Sequence, residues 1–465
     1  MIMARLLAIG WVGLLPAAVL YGQSPAVAPT GYLPDAAEEH WPAPSDSAKQ
    51  HWMNRIKHLP VNHAKGFITV GVNVREGYEY FDQYLWGIGP QDGNGYFLHR
   101  LLLPVDFRWN QHFRIFTELE SSHITGRQGG PRPVQDLNKA VVNQLFGEWA
   151  MQAGRETGLK LRAGKQSLHY GQGTLLDIRD ANVRRSFAGG KLIFTHRYWK
   201  ADAFFMWPMV LREGFFDDAI DRTQQVGGLW TTRRFLQTVL NRLDLYYIFI
   251  RRDQTRFNQG TGKEVRHTIG WSATLQKGNW FSYSEMEVQF GRFGEGSIRA
   301  WKVAPSLGYQ CKSIAGKPIL SIQGAISSGD KDVKDMNLQT FSPLYPKAIY
   351  YGFIDNAGSA NLVVVHPKME VQIAKPVKLT VGHYWFWRQQ TADGLYAING
   401  AYLLPAVAES KPVGSIWDLS VVYQAGSHFS FQAIGSYYQR KDYLKELPAT
   451  RGDVRYLGVK ATLRI

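Results

Sequence analysis

The sequence predicts an all-β fold, a transmembrane antiparallel β-barrel of about 18 strands in the outer membrane of a bacterial cell. Three observations carry this expectation. The last eleven residues, Arg455 to Ile465, alternate strictly. Leu457, Val459, Ala461, Leu463 and Ile465 form one row, and Tyr456, Gly458, Lys460, Thr462 and Arg464 form the other. A strand of period two must place its apolar row somewhere, and lipid outside with a wet lumen inside accommodates both rows. Aromatic residues make up 13% of the chain, with 15 Trp, 23 Tyr and 24 Phe, a load suited to ring girdles at two bilayer surfaces. Beyond the amino terminus, no window approaches the ~18 apolar residues of a membrane helix.

The elements follow in order. Residues 1–22 read as a secretory signal peptide, with Arg5 ahead of an apolar core from Leu6 to Leu20 and small residues at Gly22 and Ala26. Leu20 is large for the position two before Gly22, so no single cleavage site stands out. Pro16 and the shortness of the core argue against an uncleaved anchor. Residues 23–65 read as a Pro-rich periplasmic lead-in, in which Ser45 could cap a short helix carrying Trp52, Ile56 and Leu59.

From Gly66 the texture changes to alternating segments of about 8–12 residues separated by Gly, Asn, Asp and Pro. Ile68, Val70, Val72 and Val74 oppose Thr69, Asn73 and Arg75. Leu101, Leu103, Val105, Phe107 and Trp109 oppose Arg100, Asp106 and Arg108. The same pattern sets Leu159, Leu161 and Ala163 against Lys160 and Arg162, and Trp417, Leu419, Val421 and Tyr423 against Asp418, Ser420 and Gln424. A soluble sandwich could also alternate, but it puts its apolar face in a shared core and needs small layers. Here ionisable residues sit mid-strand on the other face throughout, and no helical stretches cover the sheet. About 400 residues at roughly 20–24 per strand and connection give about 16–20 strands, and an even number is the rule, hence 18. Asn110-Gln111, Lys277-Gly278-Asn279 and Ala425-Gly426-Ser427-His428 read as periplasmic turns. Residues 121–143, 208–238, 328–361 and 388–415 read as extracellular loops.

Lys and Arg outnumber Asp and Glu by 53 to 38, a net charge of +15. An exported basic chain does not meet nucleic acid. Its expected anionic partners are an acidic small molecule or polysaccharide in the lumen, and outer-membrane lipid and lipopolysaccharide around the rim. The single cysteine, Cys311, excludes an internal disulfide and a Cys-based metal site. No zinc spacing, P-loop or nucleophile elbow is present, and no cofactor is expected. Ser122–His123 and Ser167–His169 are the nearest approach to a catalytic pair, and neighbours along a strand face opposite ways. Asp330, Asp332 and Asp335 form a weak candidate for a hard cation, weakened by Lys331 and Lys334.

The sharpest constellation is a set of arginines on the polar face: Arg75, Arg100, Arg108, Arg114, Arg162 and Arg242. Guanidinium stays charged and binds carboxylate bidentately, so a confined row of them favours anions. Glu118, Glu148 and Glu285, with Glu120, Glu287 and Glu370, are the counter-charges that could instead pair with them as internal ladders.

Two stretches resemble the alginate-export family of outer-membrane barrels. The first is Leu161-Arg162-Ala163-Gly164-Lys165-Gln166-Ser167-Leu168-His169-Tyr170-Gly171, continuing to Val183-Arg184-Arg185-Ser186-Phe187. The second is Ser328-Gly329-Asp330 with Gln339-Thr340-Phe341-Ser342-Pro343-Leu344-Tyr345-Pro346. The likeness covers residues 66–465. It implies an 18-stranded monomer, a basic lumen and passage of an anionic polyuronate. Arg162 and Arg185 match the family's basic positions, and Lys165 keeps the charge of an arginine without its fork. The expected function is a porin or export channel passing anionic solutes, or an acidic polysaccharide such as alginate, by passive charge-selective diffusion without a covalent step. Two alternatives stand beside it: a structural or adhesive barrel with a closed lumen, and a lipid-modifying barrel enzyme.

Overall fold

The computed structural model describes residues 31–41, 52–61, 66–349 and 351–465. The expected signal peptide lies outside the described residues. Eighteen antiparallel strands close into one barrel. β1 comes in two pieces, Gly66–Val70 and Asn73–Asp82. It is followed by β2 Tyr96–Arg108, β3 Phe113–Thr125, β4 Asn138–Ala153, β5 Thr157–Gln166 and β6 Phe187–His196. Next come β7 Trp199–Val210, β8 Gln224–Arg234, β9 Leu240–Phe257, β10 Gly260–Lys277 and β11 Trp280–Phe293. β12, Gly296–Ala304 and Ser306–Gln310, is broken at Pro305, which has no N–H for the ladder. β13 Ile319–Ser327, β14 Leu362–Ala374, β15 Val377–Arg388, β16 Pro412–Ala425, β17 Phe429–Arg440 and β18 Val454–Arg464 complete the wall. The chain's two ends form the closing seam, with Arg464 opposite Asn73 and Arg455 opposite Asp82.

The seam shows why the alternation was decisive. Leu457 and Val459 are 58% and 53% exposed on the outer face, whereas Tyr456 is 3% exposed within. Trp109, Phe113, Trp149, Trp199 and Trp280 stand exposed near one rim, and Phe97, Tyr78 and Tyr437 near the other, as bilayer-surface girdles require. On the inner face, rings lie over glycines. A Cβ at Gly270 would fall 2.5 Å from the Tyr246 ring, and that ring stacks on Trp230 at 4.0 Å while its hydroxyl donates to Glu287.

The expected short turns after β2, β10 and β16 are all present, and the long loops leave from the opposite, extracellular rim. One expected loop divides. Residues 208–238 contain a complete strand, β8, between an extracellular loop at 211–223 and a turn at 235–239. Gly227, Thr231 and Arg233 alternate with Val226, Trp230 and Thr232, so the apolar row that would have marked a lipid face is interrupted. The lead-in also departs from expectation. Residues 31–41, read as periplasmic, lie within the lumen, where Ala37 packs between Phe116 and Phe146.

Extracellular loops 167–186 and 328–361 turn inward and meet. Tyr345 N donates to Leu175 O at 2.9 Å, Asp177 N to Tyr345 O at 3.0 Å and Lys347 N to Gly173 O at 2.8 Å. Leu168, Tyr170, Leu175, Leu176, Phe341 and Leu344 bury their side chains against Phe204, Met206, Trp230 and Ile248 on the wall. The lumen is thus narrowed by folded loops that carry their own apolar core.

The two faces of the wall should respond differently to charge. Val459→Arg puts a cation into lipid and is expected to cost ~2–4 kcal/mol. Gln432→Glu, opposite Lys460 on the lumen face, should change stability little. Urea titration of both variants in lipid vesicles measures the difference.

Candidate functional site

Among the described residues, two large basic chambers line the passage through the barrel. The outer one is a cavity of about 380 Å³. Its charged lining comprises Arg75, Arg132, Arg179, Arg185, Lys347 and Lys460 against Glu79, Asp136, Asp180 and Asp355. Loop 167–186 supplies one side of it. The loop tip is held by Asp180, whose carboxylate receives Arg100 Nη1 at 2.5 Å, Arg75 Nη1 at 3.4 Å and Arg184 Nη2 at 3.4 Å. Asp180 keeps 45% of its side chain open to the cavity, although it lies deep in the barrel. Burial pushes its pKa up, but Arg100, Arg75 and Arg184 outweigh that and hold it below the usual carboxylate range.

Neighbouring groups fix the backbone of the tip. Asn182 Nδ2 donates to the carbonyls of His99, His123 and Asp136. Arg184 N donates to Glu120, and Ser122 Oγ donates to Asn182 O. Arg179 has a φ of 50°, in the left-handed region, and its N–H donates to Asp177 Oδ1 at 2.7 Å. That turn aims two guanidinium groups at main-chain carbonyls. Arg179 donates to Val134 O and Val183 O, and Arg185 donates to Pro346 O while lying over the Tyr345 ring. Burial lowers their pKa values to about 9 and about 10, so both stay protonated at neutral pH.

The inner chamber, about 790 Å³, opens at the periplasmic rim. Arg108, Arg114, Arg155, Lys160 and Arg197 line it with Glu148 and Glu156. Here the ladder alternative applies to most of the arginines. Arg108 and Arg114 share Asp106, at 3.0 and 2.7 Å. Arg162 holds Glu148 at 2.7 Å and, on the lumen side, Glu38 at 2.8 Å.

The expected site residues therefore separate. Arg75 and Arg185 reach the outer chamber, Arg108 and Arg114 the inner one, and Arg162 stands beside the inner chamber. Arg242 pairs with Asp244 at 2.9 Å, away from both. Glu118 accepts from Asn143 and lies 3.7 Å from Arg184. Glu285 binds Lys302, together with the hydroxyls of Thr174 and Tyr283. Sequence reading missed Arg132, Arg179, Arg184 and Lys347. The available signal was the apolar content of loop 167–186: Leu168, Leu175, Leu176, Ile178 and Val183 suit an interior, not a solvent loop.

The acidic stretch does not assemble a cation site. Asp330 Oδ1 accepts from Asp332 N, Asp332 Oδ1 from Lys334 N and Asp335 Oδ1 from Asn337 N, so each carboxylate caps its own turn. Among the described residues no three His, Cys, Asp or Glu converge as metal ligands. Neither Ser122–His123 nor Ser167–His169 pairs as nucleophile and base; His123 Nε2 instead lies 3.1 Å from Ser121 Oγ. Ser122 donates to Glu120, and His169 Nδ1 contacts Asp177.

The profile of the alginate export family matches residues 67–450. The chain belongs to this family. Comparison with curated proteins finds no significant match. Solved structures share the fold. Acinetobacter baumannii OccAB1 superposes with a TM-score of 0.57 at 12% identity, over 86% of this chain and 96% of that one. Pseudomonas aeruginosa OccK11 (OpdR) gives 0.54 at 12%, over 86% and 96%. Pseudomonas aeruginosa OpdK, solved with vanillate, gives 0.54 at 9%, over 86% and 98%. Family and fold make this an outer-membrane channel protein of the porin type.

Loops 328–361 and 389–411 are latched by the buried Asp393 carboxyl, with Asp330 buried beside it. Asp393 accepts from Asp330 N, Thr340 Oγ1 and Tyr396 OH. Burial, reinforced by Asp393 and Asp335, raises the Asp330 pKa to about 6. A raised carboxyl pKa means the folded loop binds the proton better than the unfolded chain. The latch therefore gains stability as pH falls through about 6 and is weaker above it. Limited proteolysis of loop 328–361 should be slower at about pH 5 than at about pH 7.5, and Asp330→Asn should remove most of that difference.

Proposed function

We propose that this barrel is a passive, anion-selective channel for acidic small molecules or an acidic polysaccharide such as alginate. The observation that carries the reading is the way Arg179 and Arg185 are held. Both guanidinium groups are oriented by main-chain carbonyls, whose dipoles fix them without cancelling their charge. They face a cavity whose charged lining is in basic excess. Such a constriction lowers the barrier for an anion and raises it for a cation. Uronate carboxylates suit fixed guanidinium forks, and the hydroxyls of a sugar suit the carbonyls and amides of loops 167–186 and 328–361.

Reversal potential across a planar bilayer under a KCl gradient tests this reading. The wild-type protein should prefer chloride, and oligouronate added to one side should reduce the current. Arg179→Glu combined with Arg185→Glu should lower the anion-to-cation permeability ratio by about threefold or more. Cation preference in the wild type would overturn the reading. Complete lack of conductance would favour the closed-lumen barrel.

A further inference from the structure

Residues 31–41 carry three carboxylates within five positions, Asp35, Glu38 and Glu39. They enter the periplasmic end of the lumen and make a compact set of contacts there. Asp35 Oδ1 accepts from Ala37 N, which closes a short helical turn over Ala36–Glu38. The same oxygen accepts from Gln144 Nε2 on β4 at 2.9 Å. Ala37, 2% exposed, fits between Phe116 and Phe146, and its carbonyl accepts from Arg114 Nη2 at 2.7 Å. Glu38 meets Arg162 Nη1 at 2.8 Å while 47% of its side chain remains open to the lumen. Before the turn, Tyr32 OH contacts His428 Nδ1 at 3.0 Å, and Lys57 Nζ lies over the rings of Tyr32 and Trp41.

The composition of this contact differs from that of loops 167–186 and 328–361. Those loops bury extended apolar cores against the wall. Segment 31–41 offers two small alanines to the Phe116 and Phe146 rings and its Tyr32 and Trp41 rings to Lys57, and otherwise relies on charge and hydrogen bonds. Half-open ion pairs of this kind are weak and screened by salt, so the segment is held as an exchangeable ligand is held. Its acidic groups are also the groups that an anionic solute would present to Arg162 and Arg114.

We infer that residues 31–41 are a tethered plug whose Glu38 occupies a carboxylate-binding site at Arg162, with Arg114 holding the plug's backbone at Ala37 O, and that acidic ligands compete with Glu38 there. Identifying the competitor as the transported solute rests on the anion-channel reading above, but the plug itself does not. Lys191 and Lys200 add attraction at Glu38. Together with Arg162 they outweigh the effect of burial and keep its carboxylate ionised well below the ordinary range. The plug is therefore charged at every pH at which the channel is expected to work.

Single-channel recording and a cross-link test the inference together. With Cys311→Ser as background, Ala37→Cys and Phe146→Cys are introduced, and the cross-link is followed by gel mobility. Oxidation should lock the plug and lower conductance severalfold, and reduction should restore it. Glu38→Gln, without any cross-link, should raise open probability or conductance at about 0.1 M salt, and the gain should shrink at about 1 M salt. Equal conductance in the oxidised and reduced states, with the cross-link formed, would reduce the segment to a structural strut. Failure of the cysteines to cross-link in the folded barrel would also overturn the plug. Reversal potential read in the same recordings keeps the two proposals apart: a conductance gain with cation preference would retain the plug and discard the anion channel.

Discussion

The interior depends on one carboxylate. Asp180 is the point at which Arg75, Arg100 and Arg184 converge, and it sits at the tip of a loop that must cross the lumen. Three guanidinium groups brought together without it would repel one another in a poorly solvated space. With it, β1 and β2 are joined to loop 167–186, and Asn182 and Arg184 then fall where they bond to β2 and β3. Loop 328–361 docks on the surface so created through Leu175 and Tyr345. The outer chamber owes its outline to this sequence of dependencies.

The inward face thereby performs two tasks with the same residue types. Across the wall, charges neutralise one another along and between strands: Asp106 with Arg108 and Arg114, Glu148 with Arg162, Glu264 with Arg252 and Arg266, and Glu285 and Glu287 with Lys302. Pairing of that kind holds long side chains in place and leaves little net field. Charge left for a solute arises where a loop delivers guanidinium to a carbonyl instead of a carboxylate, as at Arg179 and Arg185. The strands build an internally neutralised wall, and the loops add the guanidinium groups that carbonyls hold.

This division also explains what could be read from the sequence. Wall strands such as β2, β16 and β18 declare themselves, because their lipid-facing rows are largely apolar and the alternate positions need not be. β8 escapes, since Gly227 and Thr231 occupy lipid-facing positions without an apolar signature. Arg75 and Arg162 are visible as inward cations, but whether each is paired depends on strand register and on Asp180 and Glu38, residues 105 and 124 positions away in the chain. The inward course of residues 31–41 is set by Ala37 meeting two rings on β3 and β4. Periodicity along the chain carries no trace of such a contact.

The closing seam has a consequence for the order of events in biogenesis. Asn73 and Arg464 are neighbours in the wall, yet almost the whole chain separates them. Until the final strand has been delivered, β1 and β17 each present an unpaired edge, and an unpaired edge in hydrocarbon is prohibitive. Contacts of such long range also make closure slow. Insertion therefore becomes a single late act in which the first and last strands of the barrel meet.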